Sequence, residues 1–291
     1  MNSSLLVRLF DLLARLPLPV LHRLGVLLGW VSYYISGTYA NRMRENLGYY
    51  NTSRHPSEFR RVLRASVGEA GKSITELPWV WRRPVPEVLA RVGQCYGREY
   101  LDAAMLSGKG VIVLTPHMGC FEIIGLYIAA ETPMTCMYST PKQAWMDELI
   151  RGGRQRGKML LARADIGGVR TLLKALKRGE VIGLLPDQVP AHGDGEWVDF
   201  FGRQAYTMTL VGRLQEASGA KVLLSHVVRK QHGEGYEIHF SPLDLYAGKS
   251  VPRQINTALE QVIRTCPSQY LWSYNRYKAP PGSMPSTESK E

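Results

Sequence analysis

Short apolar runs alternate with helix-like segments between residues 110 and 274, and this alternation constrains the fold most strongly. The run GVIVLT (110–115) is rich in β-branched residues, as a strand buried on both faces would be. Further strand-like runs lie at 134–139, 181–186, 221–228, 236–241 and 270–274. Helical spacing occurs at 57–77, 120–131, 142–156 and 168–178, whereas PWVWRRP (78–84) interrupts it. The pattern predicts an α/β fold with a mostly parallel or mixed central sheet flanked by helices.

Composition narrows the class of protein. The 291 residues carry 36 Lys and Arg against 25 Asp and Glu, a net charge of +11. Hydrophobic residues are 45% and charged residues 21%, which excludes a disordered chain. The four cysteines form no CxxC pair, so a zinc site or disulfide framework is not expected and no metal or cofactor is predicted. The excess positive charge indicates an anionic partner.

Nucleic acid is a poor candidate for that partner. The basic residues are not interleaved with aromatic ones, and no nucleic-acid-binding motif is present. A membrane surface or an acidic protein suits the charge better.

The N-terminus has the character of a membrane anchor. In residues 4–23, Arg8, Asp11 and Arg15 form one narrow polar stripe on an otherwise apolar helix. Residues 24–41 follow without a charge and with several aromatic side chains, and two arginines come directly after them. Basic flanks favour the cytoplasmic side of the inner membrane. We predict an interfacial or single-span anchor; a buried pair of core helices is the alternative.

These features divide the chain into three parts. Residues 1–41 are predicted to form the membrane anchor and residues 42–279 the catalytic domain. The Pro- and Ser-rich residues 280–291 are predicted to form a loose polar tail.

The most informative motif for chemistry is PHMGCFE (116–122). Its strand ends at Thr115, and ligands of open α/β sheets bind at the carboxyl ends of strands. His117 is therefore a candidate general base. Glu122 would be its partner if the chain folds the carboxylate back to fix the imidazole tautomer. The motif G-x-S-x-G is absent, so a substrate hydroxyl, activated by His117, is the expected nucleophile; Cys120 is a weaker alternative nucleophile.

Several blocks of the chain resemble one known family when they are taken together. These blocks are RENL (44–47), PHMGCFE (116–122), GGRQRGK (152–158), ALKRGEVIGLLPDQ (175–188), VDFFGRQAYT (198–207) and PSQYLWSYNRYKAPPG (267–282). They resemble the late acyltransferases of bacterial lipid A biosynthesis, within the lysophospholipid acyltransferase superfamily. The short N-terminal region and the interior of the His117 block depart from that pattern and leave the acceptor open.

The resemblance implies roles for four residues. His117 would be the general base and Glu122 the residue that orients it. Arg154 and Asp187 match an arginine and an aspartate that are implicated in activity in the family. Arg154 would stabilise an oxyanion or hold a phosphate, and Asp187 would orient that arginine or a substrate hydroxyl.

A basic face is predicted on the 168–178 helix. Arg170, Lys174, Lys177 and Arg178 share one side of it. The functional interpretation is that Arg170 and Lys174 help to bind anionic headgroups or the acidic acyl carrier protein. The alternative is a solvated helix face.

The sequence thus predicts a membrane-associated enzyme of the inner membrane's cytoplasmic face. The resemblance implies that it transfers a fatty acyl chain from an acyl carrier protein thioester to a hydroxyl of a lipid A precursor. Two alternatives stay open: an acyltransferase that acts on another lipid, such as a lysophospholipid or a glycolipid, and a basic peripheral membrane protein without enzymatic activity.

Overall fold

A computed structural model describes residues 3–50 and 55–283. Its α-helices are α1 (Ser3–Leu13), α2 (Leu18–Ile35), α3 (Gly37–Tyr50), α4 (Pro56–Thr75), α5 (Leu77–Arg82), α6 (Val85–Leu89), α7 (Arg98–Leu106), α8 (Glu122–Ala129), α9 (Ala144–Arg154), α10 (Ile166–Lys177), α11 (Leu210–Ser218) and α12 (Val251–Thr265). Its strands are β1 (Val92–Tyr96), β2 (Val111–Leu114), β3 (Met134–Tyr138), β4 (Met159–Arg163), β5 (Val181–Leu184), β6 (Gly195–Phe200), β7 (Arg203–Met208), β8 (Lys221–Arg229) and β9 (Tyr236–Pro242).

Seven strands form the central sheet in the order β1-β9-β8-β2-β5-β3-β4. The five strands from β8 to β4 are mutually parallel, whereas β9 runs antiparallel to β8 and β1 runs parallel to β9. The predicted mixed α/β sheet is therefore confirmed. Strands β2 and β5 lie side by side near its centre, and all their residues are buried. Their carboxyl ends open onto the same edge of the sheet.

Two apolar cores cover the two faces of the sheet. One core joins α3, α4, α10, α11 and α12 to the side chains of Ile112, Leu114, Ile182 and Leu184. The other core joins α5, α7 and α8 to Val111, Val113 and Val181. Alternate residues of β2 thus point into opposite cores, as expected for a strand in a sheet with helices on both faces.

One expectation about local structure was wrong. Segment 270–274 forms no sheet strand, and only Tyr270 makes an isolated bridge, to Met118. The predicted interruption of the helical spacing is present: α4 ends at Thr75, and a separate short helix, α5, follows with Pro78 in its first turn, where no backbone N–H is needed. Within the predicted loose tail, Pro280 and Ser283 are buried and residues 281 and 282 are exposed, so the loose tail stays a prediction. The remainder of that tail lies outside the described residues.

Helix α2 packs closely along α4. A Cβ atom on Gly71 would lie 1.8 Å from the carbonyl oxygen of Gly25, and one on Gly29 would lie 2.1 Å from that of Val67. Glycine at these positions lets the two backbones touch. Thr75 adds a hydrogen bond from its Oγ1 to the Leu21 carbonyl, 2.7 Å long. By length and composition α2 is long and apolar enough to cross a membrane.

Candidate active site

The loop after β2 carries His117 at the carboxyl edge of the sheet. Strand β2 ends at Leu114, and Thr115 and Pro116 lead to the histidine. The neighbouring strand β5 ends at Leu184, and Asp187 follows after a second proline. Because Leu114 and Leu184 are paired in the parallel register, the residues three positions beyond each strand meet.

His117 and Asp187 form a pair with two hydrogen bonds. His117 Nδ1 lies 2.9 Å from Asp187 Oδ1, and the backbone N–H of His117 donates to Asp187 Oδ2 at 2.9 Å. Burial alone raises the pKa of Asp187, but the charge and hydrogen bonds of His117 lower it more, so the net pKa lies below its ordinary value. The ionised carboxylate holds the proton on Nδ1 and leaves Nε2 as a proton acceptor.

Gln188 and Tyr274 complete the surroundings of the imidazole. Gln188 Nε2 lies 3.2 Å from His117 Nε2, where the amide N–H donates to the free lone pair. The Tyr274 ring is stacked nearly parallel to the imidazole at 6.4 Å, and its hydroxyl accepts a hydrogen bond from the Val189 N–H at 2.9 Å. Gln188 therefore occupies the position from which a substrate hydroxyl would donate to His117.

The His117 loop is braced from the C-terminal side of the chain. The Leu271 N–H donates to the His117 carbonyl, and the Gly119 N–H donates to that of Gln269, both at 3.0 Å. Gly119 has a φ of +57°, and a Cβ atom there would lie 1.8 Å from the Val227 carbonyl oxygen. Segment 269–271 therefore braces this loop instead of extending the sheet.

A buried cluster of charged side chains also binds the loop that carries His117. Arg229 donates to the Gly119 carbonyl at 2.7 Å and forms an ion pair with Glu76 at 2.5 Å. Burial tends to raise the pKa of Glu76, but Arg229 and His22 outweigh it and bring the pKa to about 2. His22 of α2 lies 3.3 Å from Glu76, so the N-terminal helices are joined to the loop that carries His117.

The expected His117–Glu122 pairing was wrong. Glu122 begins α8, and its carboxylate accepts from Arg154 at two points, one of them Nε at 2.9 Å, and from Trp81 Nε1 at 3.1 Å. The first turn of α8 points this side chain towards α5 and α9. Arg154 and Asp187, which were expected to interact or to act on substrate, belong to two separate pairs, Glu122–Arg154 and His117–Asp187.

A largely apolar cavity begins beside these two pairs. Its empty space, with the open mouth included, measures about 580 Å³. Glu122, Arg154 and Trp81 line part of it, and Thr115 and Phe121 lie at the His117 side. The rest of its wall is Ile124, Gly125, Leu126, Met134, Cys136, Met137, Gly153, Met159, Leu161, Gly183, Leu184 and Leu185.

The cysteines near the site are poor nucleophiles. Cys120 is buried, and burial together with the nearby Glu76 raises its pKa well above the ordinary value. Burial also raises the pKa of Cys136 to about 12. Both thiols are protonated at neutral pH, so neither supplies the thiolate that nucleophilic attack requires.

The basic face of α10 is separate from the reacting groups. Arg170 and Lys174 are exposed, and the residues that line the cavity do not include them. Helix α10 connects the parallel strands β4 and β5, so its last turn, with Lys174 and Lys177, lies at the edge of the sheet opposite His117. A role for Arg170 and Lys174 in binding donor or headgroup stays a prediction. The described residues contain no group of three or more His, Cys, Asp or Glu side chains that could hold a metal ion.

Comparison with known proteins identifies the family. The model of the bacterial lipid A biosynthesis acyltransferase family matches residues 2–279. The chain therefore belongs to this family, and it is an O-acyltransferase. It is 27% identical over 281 residues to the lipid A biosynthesis lauroyltransferase of Escherichia coli K12, covering 94% of this chain and 90% of that protein.

Two other relatives show the breadth of the similarity. The lipid A biosynthesis palmitoleoyltransferase of Escherichia coli K12 is 26% identical over 272 residues, 92% of this chain and 88% of that protein. The phosphatidylinositol mannoside acyltransferase of Mycobacterium tuberculosis H37Rv is 25% identical over 189 residues, 63% of this chain and 58% of that protein.

Proposed function

We propose that the protein transfers a fatty acyl chain from an acyl carrier protein thioester to a hydroxyl of a lipid A precursor, at the cytoplasmic face of the inner membrane. The observation that carries the proposal is the His117–Asp187 pair beside an apolar cavity, one of whose lining residues, Phe121, has its ring centroid 4.7 Å from that of His117. The names of the nearly full-length relatives support the lipid A acceptor. The net charge of +11 suits an acidic donor protein and a phosphorylated lipid.

His117 is the general base of this reaction. The acceptor hydroxyl displaces the Gln188 amide and donates to His117 Nε2. As the oxygen attacks the thioester carbonyl, its proton moves to Nε2 and the Asp187 carboxylate stabilises the imidazolium. Collapse of the tetrahedral intermediate breaks the carbon–sulfur bond. The imidazolium returns the proton to the leaving thiolate, so the products are an ester and a free thiol.

The apolar cavity holds the acyl chain. Its wall is built from Met, Leu and Ile side chains and from glycines that keep it open. A Cβ atom on Gly183 would lie 2.7 Å from both Cys136 Sγ and Met134 Cε. The Glu122–Arg154 pair closes the polar side of the wall; Arg154 is a positioning residue because its guanidinium is bound by Glu122.

Replacing Gly125 with alanine is expected to shift the donor preference to shorter acyl chains. The new methyl would lie 2.7 Å from Met159 Cε, the mobile end of a flexible side chain, so it narrows the cavity without breaking the fold. The ratio of kcat/KM for the longest accepted donor to that for a donor two carbons shorter should fall about tenfold or more. Competing thioesters, with the products resolved by mass spectrometry, measure this ratio.

The matched control is Gly152→Ala, an exposed glycine whose added methyl meets only Arg82 Nη1 at 3.9 Å. It should leave chain preference unchanged. An identical donor ratio in wild type and Gly125→Ala would contradict the placement of the chain.

Replacing Gln188 with alanine is expected to move the acid limb of the pH–rate profile to higher pH. The Gln188 N–H stabilises the neutral imidazole by donating to its lone pair, so its loss favours imidazolium and demands a higher pH for activity. A neutral hydrogen bond of about 0.5–1.5 kcal/mol corresponds to about half a pH unit to one unit. The substitution leaves the other groups around the imidazole, Asp187, Tyr274 and the more distant Arg276, unchanged, so the shift reports the loss of the Gln188 hydrogen bond.

Gln188→Glu is the companion variant, because a carboxylate at Nε2 favours imidazolium further. Its acid limb should shift in the same direction and by more. Profiles of kcat/KM that superimpose on wild type for both variants would exclude contact between Gln188 and the base.

The direct experiment is an assay of purified protein with a labelled acyl carrier protein thioester and a set of acceptor lipids. Acylation of a lipid A precursor is the expected result. Transfer to a lysophospholipid or another glycolipid alone would assign a different acceptor, and the absence of transfer to every lipid would favour a non-enzymatic role.

A further inference from the structure

Helices α1 and α2 expose most of the large apolar side chains on the surface. Of the seventeen exposed large hydrophobic residues among the described ones, ten lie in these two helices. They are Leu5, Leu9, Leu12, Val20, Leu24, Leu27, Leu28, Val31, Tyr34 and Ile35, which we call the apolar stripe. In α2 its members recur at intervals of three and four residues, so they form one face. A contiguous apolar face of this kind marks an interaction surface.

The opposite face of α2 is bound to the protein over most of its length. Gly25 and Gly29 touch the α4 backbone, and His22 reaches the buried Glu76. Near its start, Pro19 lies against the turn at Gly233, where a Cβ atom would be 2.7 Å from it. Towards its end, Tyr33 accepts a hydrogen bond from Arg44 Nε at 2.7 Å.

This attachment is incompatible with a helix that crosses a bilayer. Helix α4 runs antiparallel to α2, so α4 would have to enter the hydrocarbon beside it. Near its start, where the end of α2 lies alongside, α4 carries the exposed Arg60, Arg61 and Arg64. Because His22 of α2 binds Glu76, the Glu76–Arg229 ion pair would also be drawn into the hydrocarbon. Charges at that depth are strongly disfavoured.

The chemistry and the position of the apolar stripe indicate which partner covers it. Phe10 of α1 packs against Trp81 with ring centroids 5.9 Å apart, and Trp81 lines the cavity and donates to Glu122. The stripe is thus continuous with a site whose proposed substrates are lipids. The exposed Arg8, Arg15 and Arg23 lie among its members, as in helices that bind anionic bilayer surfaces.

We infer that α1 and α2 lie in the plane of an anionic bilayer, with the apolar stripe buried in its interfacial region and no segment of the pair crossing it. Both ends of the chain then lie on the same side of the membrane. The orientation brings Trp81, which lines the cavity and contacts Phe10 of α1, close to the lipid surface, so an acyl chain or a lipid acceptor has a short path from the bilayer to the site. This inference rests on the proposed function only for the lipid nature of the substrates.

Topology in inner-membrane vesicles tests the inference on the full chain, with one epitope tag before residue 1 and another after residue 291. Protease added to inverted vesicles should remove both tags, and protease added to spheroplasts should remove neither. Removal of the N-terminal tag only in spheroplasts would mean that α2 spans the membrane. Recovery of the protein in the soluble fraction without detergent would mean that the stripe binds no membrane. Either result overturns the inference.

A charge variant tests the apolar stripe itself. Leu27→Glu combined with Val31→Glu should weaken binding to phosphatidylglycerol-containing vesicles by about 100-fold, since each buried side chain contributes about tenfold. Leu106→Glu combined with Ile166→Glu is the control, because these residues are 88% and 73% exposed outside the stripe. Equal binding of the two double variants would contradict the inference.

Activity in detergent micelles separates this inference from the proposed function. The stripe variant should keep its rate there, because its changes lie outside the reacting groups. A wild-type protein that transfers no acyl chain in micelles yet shows the expected topology would refute the function and leave the membrane geometry standing.

Discussion

His117→Ala is expected to lower kcat for acyl transfer by a factor of about 10² to 10⁴, the usual contribution of a general base. The binding of donor and acceptor should change far less, because the proton moves only in the transition state. The fold should persist, since the loop is held through the His117 backbone by Asp187 and Leu271. Single-turnover rates with saturating substrates measure the loss, and circular dichroism verifies the fold.

The control for His117→Ala is Cys120→Ala, which keeps the histidine and removes the nearby thiol. Because burial holds that thiol protonated, the variant should transfer acyl chains at a rate close to that of wild type. A fully active His117→Ala enzyme would contradict the general-base role.

Asp187→Asn is expected to be as damaging as His117→Ala, with a loss of about 10³- to 10⁴-fold in kcat, the scale known for the wrong imidazole tautomer. Both Asp187 oxygens accept hydrogen bonds, one from the His117 backbone and one from Nδ1. Asparagine offers one oxygen for two donors, and its NH₂ group faces the other. The imidazole avoids two facing N–H groups by carrying its proton on Nε2 instead of Nδ1. A protonated Nε2 cannot accept the proton of the substrate hydroxyl.

The comparison variant is Glu122→Gln. From the sequence motif alone, its loss of activity would be expected to match that of His117→Ala. Here it should act differently, because it weakens the ion pair with Arg154 at the cavity wall and leaves the base intact. Breaking a buried pair costs about 3–5 kcal/mol, and the one-quarter exposure of Arg154 reduces that cost. We expect a lower midpoint of thermal unfolding and a changed KM, with a smaller loss of kcat than in Asp187→Asn. The reverse order would restore Glu122 as the partner of the base.

The central strands and the position of His117 could be predicted from the sequence. Strands β2 (VIVL) and β5 (VIGL) carry no polar side chain and are buried throughout, as expected for strands of a sheet covered on both faces. The edge strands β1 and β4 were missed because they are half exposed and lack such runs. The β6–β7 hairpin has a two-residue turn, Phe201–Gly202, with a positive φ at both residues, and phenylalanine at the first of these positions is not a residue that usually indicates such a turn.

The pairing of His117 with Asp187 needed the strand order, which the sequence does not state. Glu122 lies close to His117 in the sequence, whereas Asp187 is 70 residues away and reaches the imidazole through the β2–β5 pairing. A signal was present in the repeated pattern of a buried strand, one residue, a proline and a polar residue, at Thr115–His117 and at Leu185–Asp187. Two such endings predict one site if their strands are neighbours.

The most direct test of the His117–Asp187 mechanism is a time course in which mass spectrometry follows both the acceptor lipid and the intact protein. A stable isotope label in the acyl group of the donor thioester traces the transfer. If the His117–Asp187 pair activates the hydroxyl, the lipid gains one ester-linked acyl chain, the mass of the protein never changes, and the lipid product is lost in both His117→Ala and Asp187→Asn. A protein-bound acyl group that forms and decays at the rate of product formation, or full product from Asp187→Asn, would contradict direct attack by a hydroxyl activated by the His117–Asp187 pair.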